Sequence, residues 1–352
     1  MTSATAEVPS TVEELDGKWL TRVLGATVTG VRAEQIAVES GFSSLLYRLH
    51  LTGDASLPGS VIAKLPAQSE ARGAMDMMGG YARELAFYQY VAGRAPMGTP
   101  HVHAARMAAE STDFVLVLED LKDWDNADHL AGLSLEQVRL CIAQLAGLHA
   151  WSTDPANSAA LQAFPSLDTE VTRGVFPAVF GQGWQVYREH AAVPVPPAVA
   201  RYAERFTDHA AAALRALTER SMLVHGDIRA DNLFFCHDQL KVVDFQLAAK
   251  AVGASDIAYL VSQGLPTSLR AGRDEELVRG YLESLGGCGV DDYTLDDAWR
   301  HYRFAVAYLV CLPVTALITW ESLPERSRQL CLTLTERAVA TIDEVDALAV
   351  FE

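Results

Sequence analysis

Lysine is scarce in this chain: Lys18, Lys64, Lys122, Lys241 and Lys250 are the only five among 352 residues. Any chemistry that needs a fixed ammonium group therefore has few candidates. Lys plus Arg is 28 against 45 for Asp plus Glu, a formal net charge of −17. That balance argues against general binding to nucleic acid or to an anionic membrane. It is compatible with a cationic substrate, although solubility is the ordinary reason for an acidic surface. Cysteine is thin as well. Cys141, Cys236, Cys288, Cys311 and Cys331 are widely spread and form no CxxC pair. An odd count without short spacings fits reduced thiols in a cytoplasmic protein. No Cys/His cluster has structural-zinc spacing, and His101 and His103 read as loop residues beside Pro100. The first twenty residues have neither a basic nor an apolar segment, so no signal peptide is expected. One apolar run, 304–320, reaches the lower limit for a membrane span. Pro313, Thr315 and Thr319 interrupt it, so it reads as a buried core helix and no span is expected.

Half the residues are apolar and 21% are charged, an ordinary globular balance. The length suggests two domains or one two-lobed domain. The first stretch looks mixed. Residues 11–25 read as a short amphipathic helix capped by Ser10 or Thr11. Strand-like pieces follow at 37–39, 45–51 and 60–65, the last two joined through Gly53, Asp54 and Pro58. Residues 82–91 have helical periodicity, with Leu85, Tyr88 and Ala92 on one face. Residues 114–118 form an apolar run that fits a buried strand. Beyond Leu121 the chain turns helical, at 135–149, across most of 150–220 and over 256–352. A β-like island interrupts the helices at 223–245. The expected division is 1–121, a small α+β lobe, and 122–352, a larger and mainly helical lobe.

The island holds the strongest signal. An apolar strand delivers His225-Gly226-Asp227, Asn232 follows five residues later, and a hairpin through 237–239 leads to Asp244-Phe245-Gln246. This order resembles a kinase catalytic loop followed by a metal-binding aspartate. The residue types suit that chemistry. A phosphoryl group in transfer carries dispersed negative charge, so positioning and neutralisation dominate. Mg²⁺ prefers hard oxygen ligands, which the Asn232 amide and the Asp244 carboxylate supply. Asp227 can orient and deprotonate an acceptor hydroxyl. Arg229 stands where protein kinases carry a lysine directed at the γ-phosphate; a salt bridge to Asp231 or another carboxylate is the plain alternative. Asp231 reads as structural.

The remaining parts can be sought in order. Lys64 closes the apolar run Val61-Ile62-Ala63, as in a VAIK strand, and Glu84 lies twenty residues on in the expected helix. Residues 39–48 lack a GxGxxG pattern, but Gly41, Ser43 and Ser44 are small enough for backbone N–H groups to approach phosphate oxygens. The segment 114–121 falls where adenine would be read, through the Glu119 carbonyl and the Leu121 N–H. Asp256 opens a helix and could hold the catalytic-loop backbone, a structural role. Trp184, Tyr187, Tyr202, Trp299, Tyr302 and Tyr308 could line an acceptor pocket, with core packing as the default.

Taken together, these motifs over about 39–260 resemble the aminoglycoside phosphotransferase and choline kinase-like superfamily. The match is nearest to the ecdysteroid kinase-like branch and its bacterial relatives. The resemblance implies an α+β, bilobal protein-kinase-like fold: a small N-lobe with an antiparallel sheet and one main helix, and a larger, mainly helical C-lobe. It implies transfer of the γ-phosphate of ATP, with GTP possible, to a hydroxyl of a small-molecule acceptor. Asp227 would be the base, Asn232 and Asp244 the Mg²⁺ ligands, and Lys64 the phosphate-binding lysine with Glu84 as partner. An aminoglycoside or macrolide acceptor, or a catalytically silent nucleotide-binding scaffold, are the alternatives. Gln246 in place of glycine, and the lack of an APE-type segment, argue against a protein kinase.

Overall fold

A computed structural model describes residues 8–37, 44–67, 70–109 and 111–352. The chain divides into two compact units, one of residues 1–94 with 99–124, the other of 95–98 with 125–352.

In the N-terminal unit, helix α1 (Gly17–Leu24) precedes strands β1 (Val28–Ile36), β2 (Ser44–Gly53) and β3 (Ser60–Pro66). Helices α2 (Glu70–Met77) and α3 (Gly80–Tyr90) follow, then β4 (Val102–Met107) and β5 (Phe114–Glu119). The strands form one antiparallel sheet in the order β1-β2-β3-β5-β4. The cap of α1 is Asp16, which accepts the Trp19 N–H at 2.7 Å. Ser10 and Thr11 instead belong to a separate 3-10 turn, Val12–Glu14. Strand β1 lies earlier than the expected 37–39. Its sequence VTGVRAEQI is too polar to announce itself, because this edge strand leaves much of both faces exposed. Ala37 closes it with φ +54, and Val38 and Glu39 lie outside the described residues. Strand β4 was also not expected. It takes in His103, so that residue lies in a strand and not in the expected loop. Trp19 and Leu20 of α1 pack with Leu49, Val61, Ala63, Leu65, Val115 and Val117 of the sheet. Each such buried aliphatic side chain contributes roughly 1.5–3 kcal/mol.

The C-terminal unit is built mostly of helices: α4 (Leu135–Thr153), α5 (Phe176–His190), α6 (Pro197–Glu204), α7 (Phe206–Leu217), α8 (Ala254–Gly264), α9 (Thr267–Arg270), α10 (Asp274–Gly287), α11 (Leu295–Leu309), α12 (Cys311–Ala316) and α13 (Glu325–Glu344). Two small sheets sit among them, β6 (Asp125–Asn126) with the hairpin β8 (Leu233–Cys236) and β9 (Gln239–Val242), and β7 (Met222–Val224) with β10 (Ala249–Ala251). Ser134 and Gln137 close α4 with a reciprocal capping box. All eleven residues of α8 are buried. The apolar run 304–320 breaks at Val310, between α11 and α12. Pro313 has no N–H for the Leu309 carbonyl four residues back, and Gln263 Nε2 donates to that carbonyl instead, at 3.3 Å. Residues 304–311 are buried throughout, as expected of a core helix, but Ala316, Ile318 and Thr319 in the second half of the run are exposed. Trp184, Tyr187, Tyr202, Tyr302 and Tyr308 are core side chains too.

Candidate active site

The N-terminal unit contributes a buried ion pair. Val61, Ala63 and Leu65 of β3 face the core beneath α1, so strand alternation sends Lys64 to the opposite face. There its Nζ lies 2.9 and 2.8 Å from the two carboxylate oxygens of Glu84 on α3. Lys64 is 7% exposed and Glu84 2%, so each charge helps to compensate the other's burial.

The turn after β5 is tied to the same sheet. Asp120 accepts Arg48 Nε at 2.8 Å, Ser60 Oγ at 2.6 Å and the Lys122 N–H at 3.1 Å. Burial pushes the Asp120 carboxyl up, but the bonds from Arg48 and Ser60 outweigh it and hold the group below the usual range. Glu119 donates its N–H to the His101 carbonyl, and its carboxylate accepts the His101 N–H. Leu121 accepts the Trp124 N–H on its carbonyl. Its own N–H makes no hydrogen bond among the described residues. Gly41 and Ser43 lie outside the described residues. Ser44 is buried as the first residue of β2, opposite Pro66, so it is a strand residue rather than a loop residue.

In the C-terminal unit, β7 delivers His225, Gly226 and Asp227. Gly226 has φ +82, and a Cβ there would lie 2.4 Å from the Leu247 carbonyl oxygen. Only glycine makes this turn without strain. Asp256, at the start of α8, accepts the His225 N–H at 2.7 Å and the Gly226 N–H at 3.0 Å. His149 of α4 braces Asp256 from behind, Nε2 to Oδ2 at 3.2 Å, and the Tyr281 hydroxyl stands 2.9 Å from His149 Nδ1. Burial opposes the Asp256 charge, but these donors overcome it and keep the carboxyl below its ordinary range.

The His225 ring has one possible tautomer. Nδ1 accepts the Asp227 N–H at 3.1 Å, so Nε2–H donates to the Val243 carbonyl at 3.0 Å. The Val243 N–H donates to the Asn232 carbonyl, also at 3.0 Å. Val243 is thus gripped on both sides, and the chain leaves it through Asp244 at φ +67. Such a conformation is uncommon outside glycine and concentrates at functional sites. The Phe245 ring packs on His225 at 4.6 Å.

The Asp227 carboxylate is surrounded by donors. Tyr259 O–H donates to Oδ1 at 3.1 Å. Asn232 Nδ2 stands 3.4 Å from Oδ2, and Arg229 Nε 3.5 Å from it. Arg229 therefore pairs with Asp227. Its guanidinium is raised above the ordinary arginine value by the Asp227 charge, against burial, with Tyr259, Asp244 and Asp231 adding to the effect. Asp231 serves the backbone: its Oδ1 accepts the His129 N–H at 3.1 Å. Asn232 Nδ2 also donates to the Asp227 carbonyl at 2.9 Å, which turns the amide oxygen the other way.

That donor set suits magnesium. An amide oxygen and a carboxylate are hard ligands, and two protein ligands leave room for the waters and phosphates that Mg²⁺ keeps. Among the described residues no group of three or more His, Cys, Asp or Glu could hold a metal, so a closed protein cage is absent there.

Four bracing residues, His129, Arg337, Tyr259 and His149, have little or no local sequence signal. His129 Nδ1 accepts the Ala230 N–H at 3.1 Å while Nε2 stands 3.2 Å from the Gln263 carbonyl. Arg337 of α13 donates to the carbonyls of His129, Leu130 and Gln263. Tyr259 looked like one more apolar residue of α8. Only His149, a lone histidine on the core face of a long apolar helix, left a sequence signal, and it is a weak one.

The class of protein follows from fold and comparison together. The architecture is the kinase-like fold shared by small-molecule phosphotransferases. A choline kinase from Cryptosporidium parvum is similar over 91% of both chains, with 10% identity and a TM-score of 0.56. An ethanolamine kinase from Plasmodium vivax is similar over 88% of this chain and 82% of its own, with 12% identity and a TM-score of 0.54. The wild-type aminoglycoside 2'-phosphotransferase-IIIa, solved with GDP, is similar over 92% of this chain and 96% of its own, with 16% identity and a TM-score of 0.55. At such identities the likeness is one of fold. By its sequence the chain belongs to the ecdysteroid kinase-like family, whose model matches residues 39–289. No curated protein matches by sequence.

Proposed function

We propose that this protein is a small-molecule O-phosphotransferase that moves the γ-phosphate of ATP to a hydroxyl of its acceptor. The observation that carries the reading is the catalytic turn. Asp256 holds the backbone of His225 and Gly226, and Asp227, Arg229 and Asn232 converge beyond it. Asp227 takes the proton of the acceptor hydroxyl as its oxygen forms a bond to the γ-phosphorus. The bond from that phosphorus to the β,γ-bridging oxygen breaks, and ADP leaves. Asn232 and Asp244 are the residues that would hold magnesium, which when bound neutralises charge on the phosphates. Lys64 binds the α- and β-phosphates, kept in place by Glu84. Arg229, an always-charged guanidinium beside the base, meets the γ-phosphoryl oxygens. The Leu121 N–H, unused by its own turn, and the Glu119 carbonyl read the nucleobase. This reading assigns the remaining phosphate contacts to Gly41, Ser43 and, as the first residue of β2, Ser44. A nucleotide of either base is compatible with these backbone contacts, and a GDP complex of a protein of the same fold supports testing GTP as well.

The test is nucleoside diphosphate release from Mg·ATP and Mg·GTP against pools of aminoglycosides, macrolides, choline and ethanolamine, sugars, nucleosides and sterol-like alcohols. Asp227→Asn serves as the blank. A pool that raises ADP or GDP with the wild type alone names the acceptor class. Failure of direct titration to detect any nucleotide binding would overturn the reading in favour of a silent scaffold.

A further inference from the structure

Helix α8 touches the catalytic turn at two points three residues apart. Asp256 takes the backbone N–H groups of His225 and Gly226, and Tyr259 reaches the Asp227 side chain. Residues at that spacing share a helix face, and every residue of this helix is buried. One rigid element therefore sets both the backbone and the carboxylate of the turn. The Tyr259 ring is 4% exposed, and among the described residues the one hydrogen bond of its hydroxyl runs to Asp227 Oδ1. Burying a hydroxyl without a partner is costly, and this one has its partner in Asp227. Burial, with the Asp227 charge adding to it, pushes the phenol well above its ordinary value. It stays protonated and can only donate to a carboxylate. The opposite oxygen, Oδ2, has looser neighbours, Asn232 Nδ2 at 3.4 Å and Arg229 Nε at 3.5 Å.

We propose that Tyr259 is a positioning residue whose O–H holds Oδ1 of Asp227 and turns Oδ2 toward the acceptor hydroxyl. The inference rests on the phosphotransferase reading above. Tyr259 keeps its proton throughout; the acceptor proton goes to Oδ2. Without the phenolic O–H the carboxylate turns about its Cβ–Cγ bond, and the acceptor meets a base that is misaligned part of the time. Misplacement on this scale costs about 10–100-fold in rate, with nucleotide binding untouched.

The experiment compares wild type, Tyr259→Phe, Asp227→Asn and, as a control for losing a buried hydroxyl elsewhere, Tyr293→Phe. Two readouts are taken: steady-state kinetics, and the carboxyl ¹³C resonance of Asp227 in aspartate-labelled protein, assigned by its loss in Asp227→Asn. The expected result for Tyr259→Phe is a kcat lower by about 10–100-fold, an unchanged KM for nucleotide, an unchanged melting temperature and a moved Asp227 resonance. An unmoved resonance, or a kcat within twofold of wild type, overturns the proposal. So does a joint collapse of kcat, KM and melting temperature, which would mark Tyr259 as a packing residue. If the wild type binds no nucleotide while the resonance still moves in Tyr259→Phe, the phosphotransferase reading fails and the orienting bond to Asp227 stands.

Discussion

Asp256 Oδ2 accepts the backbone N–H of His225 at 2.7 Å, across 31 residues of sequence. A helix N-terminus and a strand end are thus joined through one carboxylate. Asp256→Ala leaves the N–H groups of both His225 and Gly226 buried without an acceptor. Unsatisfied buried groups cost about 1–3 kcal/mol each, so denaturant titration should report a loss of about 2–5 kcal/mol. Phosphoryl transfer should fall with it.

Lys64 and Glu84 form a pair in which each member is buried. On the proposed reading Lys64→Ala removes a phosphate-binding group, and it takes from the buried Glu84 carboxylate the cation it pairs with. The expected outcome is a loss of about 10²–10³ in kcat together with about 3–5 kcal/mol in stability. Glu84→Gln keeps the shape and a hydrogen-bond acceptor, so it should retain most of the stability while raising KM for nucleotide. Equal kinetics in Glu84→Gln and wild type would remove Glu84 from the site.

Asp244→Ala should make nucleotide binding insensitive to magnesium. Calorimetric titration with and without Mg²⁺ separates this from misfolding, because magnesium-free binding should persist. Full magnesium dependence in the variant would overturn the ligand assignment.

His129 is buried between the Ala230 N–H and the Gln263 carbonyl, and burial is the chief reason its pKa falls from 6.5 to about 3, with the charges of Arg229 and Arg337 adding to the effect. Above pH 6.5 the ring is neutral in both folded and unfolded chains and contributes no pH dependence. Below 6.5 the unfolded chain takes up a proton that the folded one refuses. Stability therefore falls as pH falls from 6.5 toward 3, by up to about 1.4 kcal/mol per pH unit from this residue. His129→Asn retains an acceptor near the Ala230 N–H and cannot titrate, so its stability profile should be flatter over that window.

Gly226→Ala places a methyl 2.4 Å from the Leu247 oxygen at a positive φ. It should destabilise the protein by at least about 1 kcal/mol and displace Asp227. Wild-type kcat in this variant would mean that the turn tolerates movement.

Local pattern carried a good part of this molecule. His225, Asp227, Asn232 and Asp244 fall within one turn and one hairpin, so their spacing can be read along the chain. Lys64 follows an apolar run within β3, and Glu84 lies in a periodic helix, so each element was legible. The polar strand β1 and the short strand β4 were not, because neither has an alternating apolar face. Tertiary structure decided what no local pattern could. It brought His149, His129, Tyr259 and Arg337 to the turn from four separate elements. It also paired Arg229 with Asp227, while Asp231 accepts the His129 backbone N–H. Residues that react must be of particular types at particular spacings. Residues that brace them need only arrive at the right place, and that place is set by packing over long sequence distances.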